Sequence, residues 1–476
     1  MKETSQPLEL LLSVTRDGTR TLGAQIEDQL RHAIRSGNLR PGARVPSTRD
    51  LARQLGVSRR VVVDAYAQLG AEGYLIIRQG SRPHVSNAAA LVESVEAGAG
   101  EPVPRPRFDF RPSVPDLSAF PRSAWLRSVR EAVAGLSDAD LDYGDPRGVA
   151  PLRSALAEYL GRVRGVVADP ARIVVTSGYA QGRGLVCRAL AAAGGKRIAI
   201  EDPSHPEQRA TMTRAGLELV PIPVDEGGLR VERLEVAAAD AVVLTPAHQF
   251  PSGAVLSGER RAALLEWLRA RGAIAIEDDY DAEYRYDRAP IGTLQGLEPE
   301  RIVYAGSTSK TLAPALRIGW LVVPEQLLDA VVYEKRLADL GTAHIEQHAL
   351  ADFLARGELD RHLRRMRARY RARRDALVEA LADALPEAEV QGIAAGLHAA
   401  VRLSESDDEQ AILDEARRRR IVFTTMSDYR MESRGEPPTL LLGYGQSPEP
   451  TIRSGVIEIA KAVRATRRRS QPGASF

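Results

Sequence analysis

The chemistry of this 476-residue chain begins with a lysine. Only five lysines (Lys2, Lys196, Lys310, Lys335 and Lys461) stand among 65 basic residues, so a lysine where arginine would not serve is worth following. Lys310 lies in Gly306-Ser307-Thr308-Ser309-Lys310-Thr311-Leu312-Ala313-Pro314, directly after the apolar run Arg301-Ile302-Val303-Tyr304-Ala305. An amine held at a strand's C-terminal end among small hydroxyl residues, and stripped of water, becomes a nucleophile able to form an imine with an aldehyde cofactor. Ser307 and Arg317 offer a hydroxyl and a fork of N–H donors suited to a phosphate. Taken alone, the segment also fits a surface lysine that happens to follow a strand.

Three further strand ends carry residues of matching chemistry. Ile274-Ala275-Ile276 runs into Glu277-Asp278-Asp279-Tyr280-Asp281. A pyridine cofactor needs a carboxylate to keep its ring nitrogen protonated and a phenol to hold its ring oxygen, and one acid of 278–279 with Tyr280 would supply both. A magnesium site or a charged strand end are the alternatives. Val174-Val175-Thr176 leads into Ser177-Gly178-Tyr179-Ala180-Gln181-Gly182 and then a helix, a turn whose backbone N–H groups suit a phosphate. Glu201-Asp202-Pro203-Ser204-His205-Pro206 places a ring, His205, where it could stack on a flat ligand; a lone loop histidine is more often structural or solvated.

The elements that must position these residues alternate along the chain. Segments 172–176, 197–200, 241–244, 273–276 and 301–305 read as buried strands bounded by Gly, Pro or Asp, most of them separated by helix-like stretches. That order predicts an α/β domain with a largely parallel sheet, whose ligands bind at the strands' C-terminal edge. Residues from about 345 to 476 read as a mixed α+β lobe. At the other end, helical spacing over 22–36, a capping-box-like Ser47-to-Asp50 start, Gly56, a Ser58 cap and a short hairpin over 74–85 give the order of a winged helix-turn-helix. The Ala, Gly, Glu and Pro-rich stretch 87–106 reads as a linker. The expected division is therefore 1–86, 87–106 and 107–476.

Composition sets the frame. Hydrophobic residues at 44% and charged residues at 27% fit a globular protein and exclude a largely disordered chain. There is no apolar run long enough to span a bilayer, and Met1 to Pro7 lacks a secretory pattern. A single cysteine, Cys187, excludes a disulfide framework and any multi-cysteine zinc site, so a reducing cytoplasm is expected and no metal site. The net charge of +2 divides unevenly: residues 1–86 hold 13 Lys and Arg against 8 Asp and Glu, the remainder 52 against 55. The basic surplus marks an anion-seeking module at one end.

Within that module, Arg59 and Arg60 open the third helix and Arg49 lies one helix earlier. A recognition helix presents its first residues to base edges, and arginine suits guanine. Ser58 would cap the helix and contact a phosphate, while Arg78, Gly80 and Arg82 form a wing suited to phosphate or the minor groove. A solvated charged helix end is the alternative. Leu39-Arg40-Pro41-Gly42, Val45-Pro46-Ser47-Thr48-Arg49, Leu55-Gly56-Val57-Ser58-Arg59 and Glu72-Gly73-Tyr74-Leu75 resemble the DNA-binding domain of GntR-family regulators. The wing departs from that family's Gly-Ser-Gly-Thr pattern, reading Gly80-Ser81-Arg82-Pro83.

Residues 108–476 resemble fold type I aminotransferases, and the fusion to a GntR head resembles the MocR subfamily of bacterial regulators. The matches include Phe110-Arg111-Pro112, Tyr143-Gly144-Asp145-Pro146-Arg147-Gly148 and Thr245-Pro246-Ala247-His248-Gln249-Phe250-Pro251-Ser252-Gly253. The resemblance implies that Lys310 carries pyridoxal 5′-phosphate (PLP) as an imine. It implies that Asp278 pairs with the pyridine nitrogen and Tyr280 with the ring oxygen. Ser307, Arg317 and the Gly178-Tyr179-Ala180 turn would hold the phosphate, and His205 would occupy the stacking position. Tyr143 would reach the neighbouring subunit's site, which implies a homodimer.

One departure bears on function. Aminotransferases of this fold clamp the substrate carboxylate with an arginine near the C-terminus, whereas the aligned stretch here is Leu441-Leu442-Gly443-Tyr444. Arg402, Arg430 and Arg453 are candidate substitutes. Without the clamp, amino-acid binding loses affinity and orientation. The expectation is a dimeric, PLP-dependent regulator that binds a double-stranded operator and senses PLP or a small amine. A working aminotransferase with a DNA-binding head and a DNA-binding protein with an abandoned pocket are the alternatives. The arginine run from Arg361 to Arg374 reads as a solvated helix with acidic partners, or as a second DNA contact.

Overall fold

The computed structural model describes residues 12–16, 20–78, 80–87, 106–281, 283–286, 291–432 and 435–470. The N-terminal residues 1–7 and residues 88–105 of the expected linker lie outside these. The chain forms two compact units, Met1–Pro104 and Arg105–Phe476.

The small unit packs α1 (Leu22–Arg35), α2 (Thr48–Leu55) and α3 (Arg59–Ala71) beside a hairpin of β1 (Leu75–Ile76) and β2 (His84–Val85). Helical spacing places Ile26, Leu30 and Ile34 on one face of α1, where they meet Leu51, Val62, Tyr66 and Leu69 in a closed core. Each start is specified locally: Ser47 Oγ accepts from Asp50 N, and Ser58 Oγ accepts from Val61 N. Gly56, at φ 62°, ends α2 in the left-handed region and turns the chain into α3.

The large unit is built on one sheet. Its strands are β3 (Ile173–Thr176), β4 (Arg197–Asp202), β5 (Glu218–Asp225), β6 (Gly228–Leu229), β7 (Ala241–Leu244), β8 (Ile274–Asp278), β9 (Ile302–Ser307) and β10 (Gly319–Val322). Their spatial order is β3-β10-β9-β8-β7-β4-β5-β6. Pairs β5-β4, β4-β7, β7-β8 and β8-β9 are parallel, but β10 runs antiparallel to both β9 and β3. The sheet is therefore mixed, with a parallel run from β5 to β9 and antiparallel pairs where β6 and β10 join. Sequence reading passes over β5, β6 and β10; β10 is a four-residue strand whose pairing only the folded sheet reveals. The strands β3, β7, β8 and β9 are buried along their length, as their Val and Ile content requires.

Helices follow the strands, among them α4 (Tyr179–Ala192) after β3, α5 (Pro206–Arg214) after β4 and the single turn α6 (Thr308–Thr311) after β9. Further on, α7 (Glu325–Asp339) leads to the long α8 (Glu358–Ala384) and a second sheet. That sheet contains β11 (Glu389–Gln391), β12 (His398–Arg402), β13 (Thr424–Thr425) and β14 (Thr439–Gly443), in the order β11-β12-β14-β13. The arginines of α8 are largely engaged within the unit. Arg369 and Arg373 bind Asp116 at 3.0 and 2.8 Å, Arg361 pairs with Glu358, and Arg367, Arg371 and Arg374 donate to the carbonyls of Glu283, Tyr286 and Ile393.

Candidate functional site

Three strand ends converge on one cavity of about 440 Å³. Ser307, Ser309 and Lys310 enter it from the end of β9 and from α6, Asp278 and Tyr280 from the end of β8, and Tyr179 and Ala180 from the start of α4. This is the carboxyl edge where open α/β sheets bind ligands. His205 and Arg317 complete the set brought together, and Gly178 lies directly beneath Arg317.

Burial shapes the charges here. It pulls the Lys310 ammonium below the usual lysine range, with Asp281 and Asp278 pulling back. It pushes the Asp278 carboxyl up to about 7, opposed by the Arg183 guanidinium. Such a carboxyl gains most from a cation delivered by a ligand, and a protonated ring nitrogen is one. Burial also pushes the Tyr280 phenol well above its ordinary value, so it stays protonated.

The phosphate end is set by backbone geometry. Gly178 caps α4 at φ 84°, ψ 170°, a conformation that side chains disfavour. A Cβ built there would lie 2.9 Å from Arg317 Nη2, so the guanidinium occupies the space a side chain would fill. Arg317, itself at φ 51°, donates to the Ser177 carbonyl at 2.7 Å, and the Gln181 side chain accepts from Ser177 N at 2.7 Å. Ser307 caps α6, its Oγ accepting from Ser309 N. A lysine of reduced basicity, an acid seeking a cation and a turn that excludes Cβ atoms together fit a pyridine aldehyde phosphate.

The opposite wall is aromatic. His205 stacks on Phe250 with ring centroids 6.1 Å apart, and Tyr429 meets both rings edge-on at 5.8 and 5.1 Å. His205 is also the N-cap of α5, its Nδ1 accepting from Glu207 N at 3.3 Å, and burial lowers its basicity. Behind this wall Leu441 is fully buried in a cluster with Ala400, Met426 and Tyr429, against which Phe250 packs. Apolar packing thus stands where the resemblance places a carboxylate-binding arginine.

The candidate substitutes lie elsewhere. Arg402 pairs with Glu389, Arg453 with Glu379, and Arg430 with Glu436, and none of the three lines the cavity. Arg111 does line it, with its guanidinium bound to Asp109 at 2.6 Å. Tyr143 does not: it is 71% exposed and borders a separate groove formed by residues 140–143 and 340–346. Site reading from the sequence missed Phe250, Tyr429, Gln208 and Arg111 as cavity residues. Phe250 and Arg111 lie in segments already singled out, whereas Tyr429 carries no local signal.

On the small unit, Arg49, Ser58, Arg59, Arg60, Arg78, Gly80 and Arg82 are all exposed. Arg59 Nε donates to Thr48 Oγ1 at 3.4 Å, which ties the start of α3 to α2, and Arg60 lies 3.9 Å from Asp64. Arg44 bridges to His84 and backs the hairpin.

Comparison with known proteins fits both units. Residues 22–85 match the model for bacterial regulatory proteins of the gntR family, and residues 116–435 match aminotransferase class I and II. The chain is 34% identical to the HTH-type pyridoxine biosynthesis transcriptional regulator PdxR of Corynebacterium glutamicum, over 93% of this chain and 96% of that protein. It is 33% identical to the probable rhizopine catabolism regulatory protein MocR of Rhizobium meliloti, over 95% and 96%. Among solved structures, an archaeal alanine:glyoxylate aminotransferase superposes with a TM-score of 0.68 at 25% identity, covering 75% of this chain and 91% of that one. The Pyrococcus horikoshii kynurenine aminotransferase, solved with PMP, gives 0.69 at 26% identity over the same shares. A gntR-type winged helix joined to an aminotransferase fold, matched along almost its whole length by HTH-type regulators, places this chain in the MocR subfamily of GntR-family transcriptional regulators.

Proposed function

We propose that this regulator is a cytoplasmic homodimer that binds PLP in the Lys310 cavity and double-stranded operator DNA through its winged helix. When bound, PLP supplies an aldehyde that condenses with a primary amine and releases water. Lys310 provides that amine, its proton more easily lost because of burial. Asp278 would hold the ring nitrogen's proton, Tyr280 would donate toward the ring oxygen, and Ser307, Arg317 and the Gly178-Tyr179-Ala180 turn would receive the phosphate. The His205–Phe250–Tyr429 wall would cover the ring face. No helix among the described residues is long and apolar enough to cross a membrane.

The observation that carries sensing over turnover is the full burial of Leu441, the residue the resemblance aligns with the carboxylate clamp. PLP itself is the effector this favours, in keeping with the similarity to a regulator of pyridoxine biosynthesis. The exposed Tyr143, with Leu141 beside it in the same groove, supports a second subunit completing that surface. On DNA, Arg59 and Arg60 would read bases while Arg49, Ser58 and the wing residues Arg78, Gly80 and Arg82 contact backbone. Ligand binding then shifts operator affinity by linkage between the two sites.

The test is an absorption spectrum of the purified protein with PLP, followed by hydride reduction and peptide mapping, with operator binding measured in parallel. A visible band, a stable adduct on Lys310 and PLP-dependent operator affinity are expected. A colourless, unlabelled protein, or equal operator affinity with and without PLP, overturns the reading, and sustained turnover of amino and keto acids shows an enzyme instead.

A further inference from the structure

Behind Tyr280 stands a buried group that the site as described does not use. His248 and Asp281 are 2% and 1% exposed. His248 Nδ1 lies 3.0 Å from the Tyr280 hydroxyl oxygen and 3.1 and 3.2 Å from the two Asp281 carboxylate oxygens. Its other nitrogen, Nε2, is buried and finds no hydrogen-bond partner among the described residues. The backbone is cut to fit this ring: Gly396, at φ 79°, carries no Cβ where one would strike both His248 and Asp281.

These contacts decide where the imidazole proton sits. A neutral imidazole has one donor nitrogen and one acceptor. Were the proton on Nε2, a buried donor would go unpaired and the Nδ1 lone pair would face the Asp281 carboxylate. With the proton on Nδ1, the ring makes a charge-assisted bond to Asp281, and the same N–H reaches the Tyr280 oxygen. The neighbouring ring of His398, 5.4 Å away, does not compete: its Nδ1 meets Ser113 Oγ at 3.3 Å and its Nε2 the Pro251 carbonyl at 3.1 Å. Burial holds His398 neutral, with a pKa lowered to about 3. A Tyr280 oxygen that accepts from His248 cannot spend its own proton on that nitrogen, which leaves the Asp281 carboxylate, also acting on this hydroxyl, as the acceptor that a ligand oxygen in the cavity must outcompete.

We infer that the Asp281–His248 pair is a positioning device that occupies the Tyr280 oxygen as an acceptor and turns its hydroxyl proton toward the cavity, making Tyr280 a donor to an anionic oxygen on the ligand. The inference deepens the PLP reading above, since the ring oxygen of that cofactor is such an acceptor. His248 and Asp281 touch neither ligand nor reacting atoms; they act through Tyr280.

Two measurements test it. In ligand-free protein labelled with ¹⁵N-histidine, the signal lost in His248→Gln should show a protonated Nδ1 and a bare Nε2. A proton on Nε2, or on both nitrogens, overturns the inference, and this arm stands whether or not PLP binds. In PLP-loaded protein, the pH midpoint of the visible band should rise by about one unit in His248→Leu, the size expected for one lost bond to a charged acceptor. Tyr280→Phe should raise it as much, and the double variant no further. His248→Asn, whose amide N–H stands near the Nδ1 position, should restore the midpoint. An unmoved midpoint in His248→Leu, additive shifts in the double variant, or failure of the asparagine rescue would each refute the device.

Discussion

The Arg317 guanidinium and the Ser177 carbonyl are joined by a 2.7 Å hydrogen bond across the turn that precedes α4. The bond lays the arginine over Gly178, so that the strand end after β3 and the loop after α6 form one cradle. Gly178→Ala should disturb both partners: the φ of 84° becomes strained, a cost on the order of 1–3 kcal/mol, and the new methyl group displaces the guanidinium. Equilibrium titration should show weaker PLP binding with a lower melting temperature, whereas unchanged affinity would mean the turn does not hold the phosphate.

Leu441 supports the aromatic wall from behind. Leu441→Ala leaves a void beneath Phe250 and Tyr429, and truncations of this kind cost about 2–5 kcal/mol. Denaturant unfolding should report that loss, with a blunted response of operator binding to PLP. A loss below about 0.5 kcal/mol would show that the wall stands without it.

Asp278 makes ligand-free stability depend on pH. Its folded pKa of about 7 lies above the ordinary 3.8, so the folded protein keeps a proton that the unfolded chain releases. Stability linked to this group is therefore present below about pH 4 and lost as pH rises through 7. Asp278→Asn should gain melting temperature over the parent progressively from about pH 4 to pH 7 and level off above it; a constant difference across pH 4–7 would contradict the assignment.

On the proposed reading, base and phosphate contacts fall on different residues of the small unit. Arg59→Ala should weaken operator binding by about 1–3 kcal/mol and relax the preference at one base position, while Arg82→Ala should weaken all sequences alike and lower the salt slope by about 1. Binding isotherms at several salt concentrations distinguish the two; the reverse pattern would exchange the roles of helix and wing.

Leu141, 67% exposed, lines the groove proposed to meet a second subunit, and Leu337, 65% exposed near the end of α7, is a large apolar side chain three residues before Leu340 of that groove. Leu141→Glu with Leu337→Glu should give monomers in sedimentation while the small unit keeps its helical signal. A dimer that survives both charges must form through another face.

By itself the sequence determined what is local. The Ser47 and Ser58 caps, the Gly56 turn, the buried strands and the placement of Lys310, Asp278 and Tyr280 at strand ends all follow from residues close in the chain, because capping, periodicity and turn chemistry act over a few residues. Tertiary structure alone decided what distant segments share. The antiparallel β10 depends on pairing with β9 and β3. Tyr429 joins the cavity because Ser204 N donates to its carbonyl, and Leu441 turns inward because β14 pairs with β12 and β13. The same holds for His248, whose partners Tyr280 and Asp281 lie more than thirty residues onward and whose space is left by Gly396. Such contacts are chosen by which surfaces pack together once the chain has closed, and no periodicity along the sequence encodes that choice.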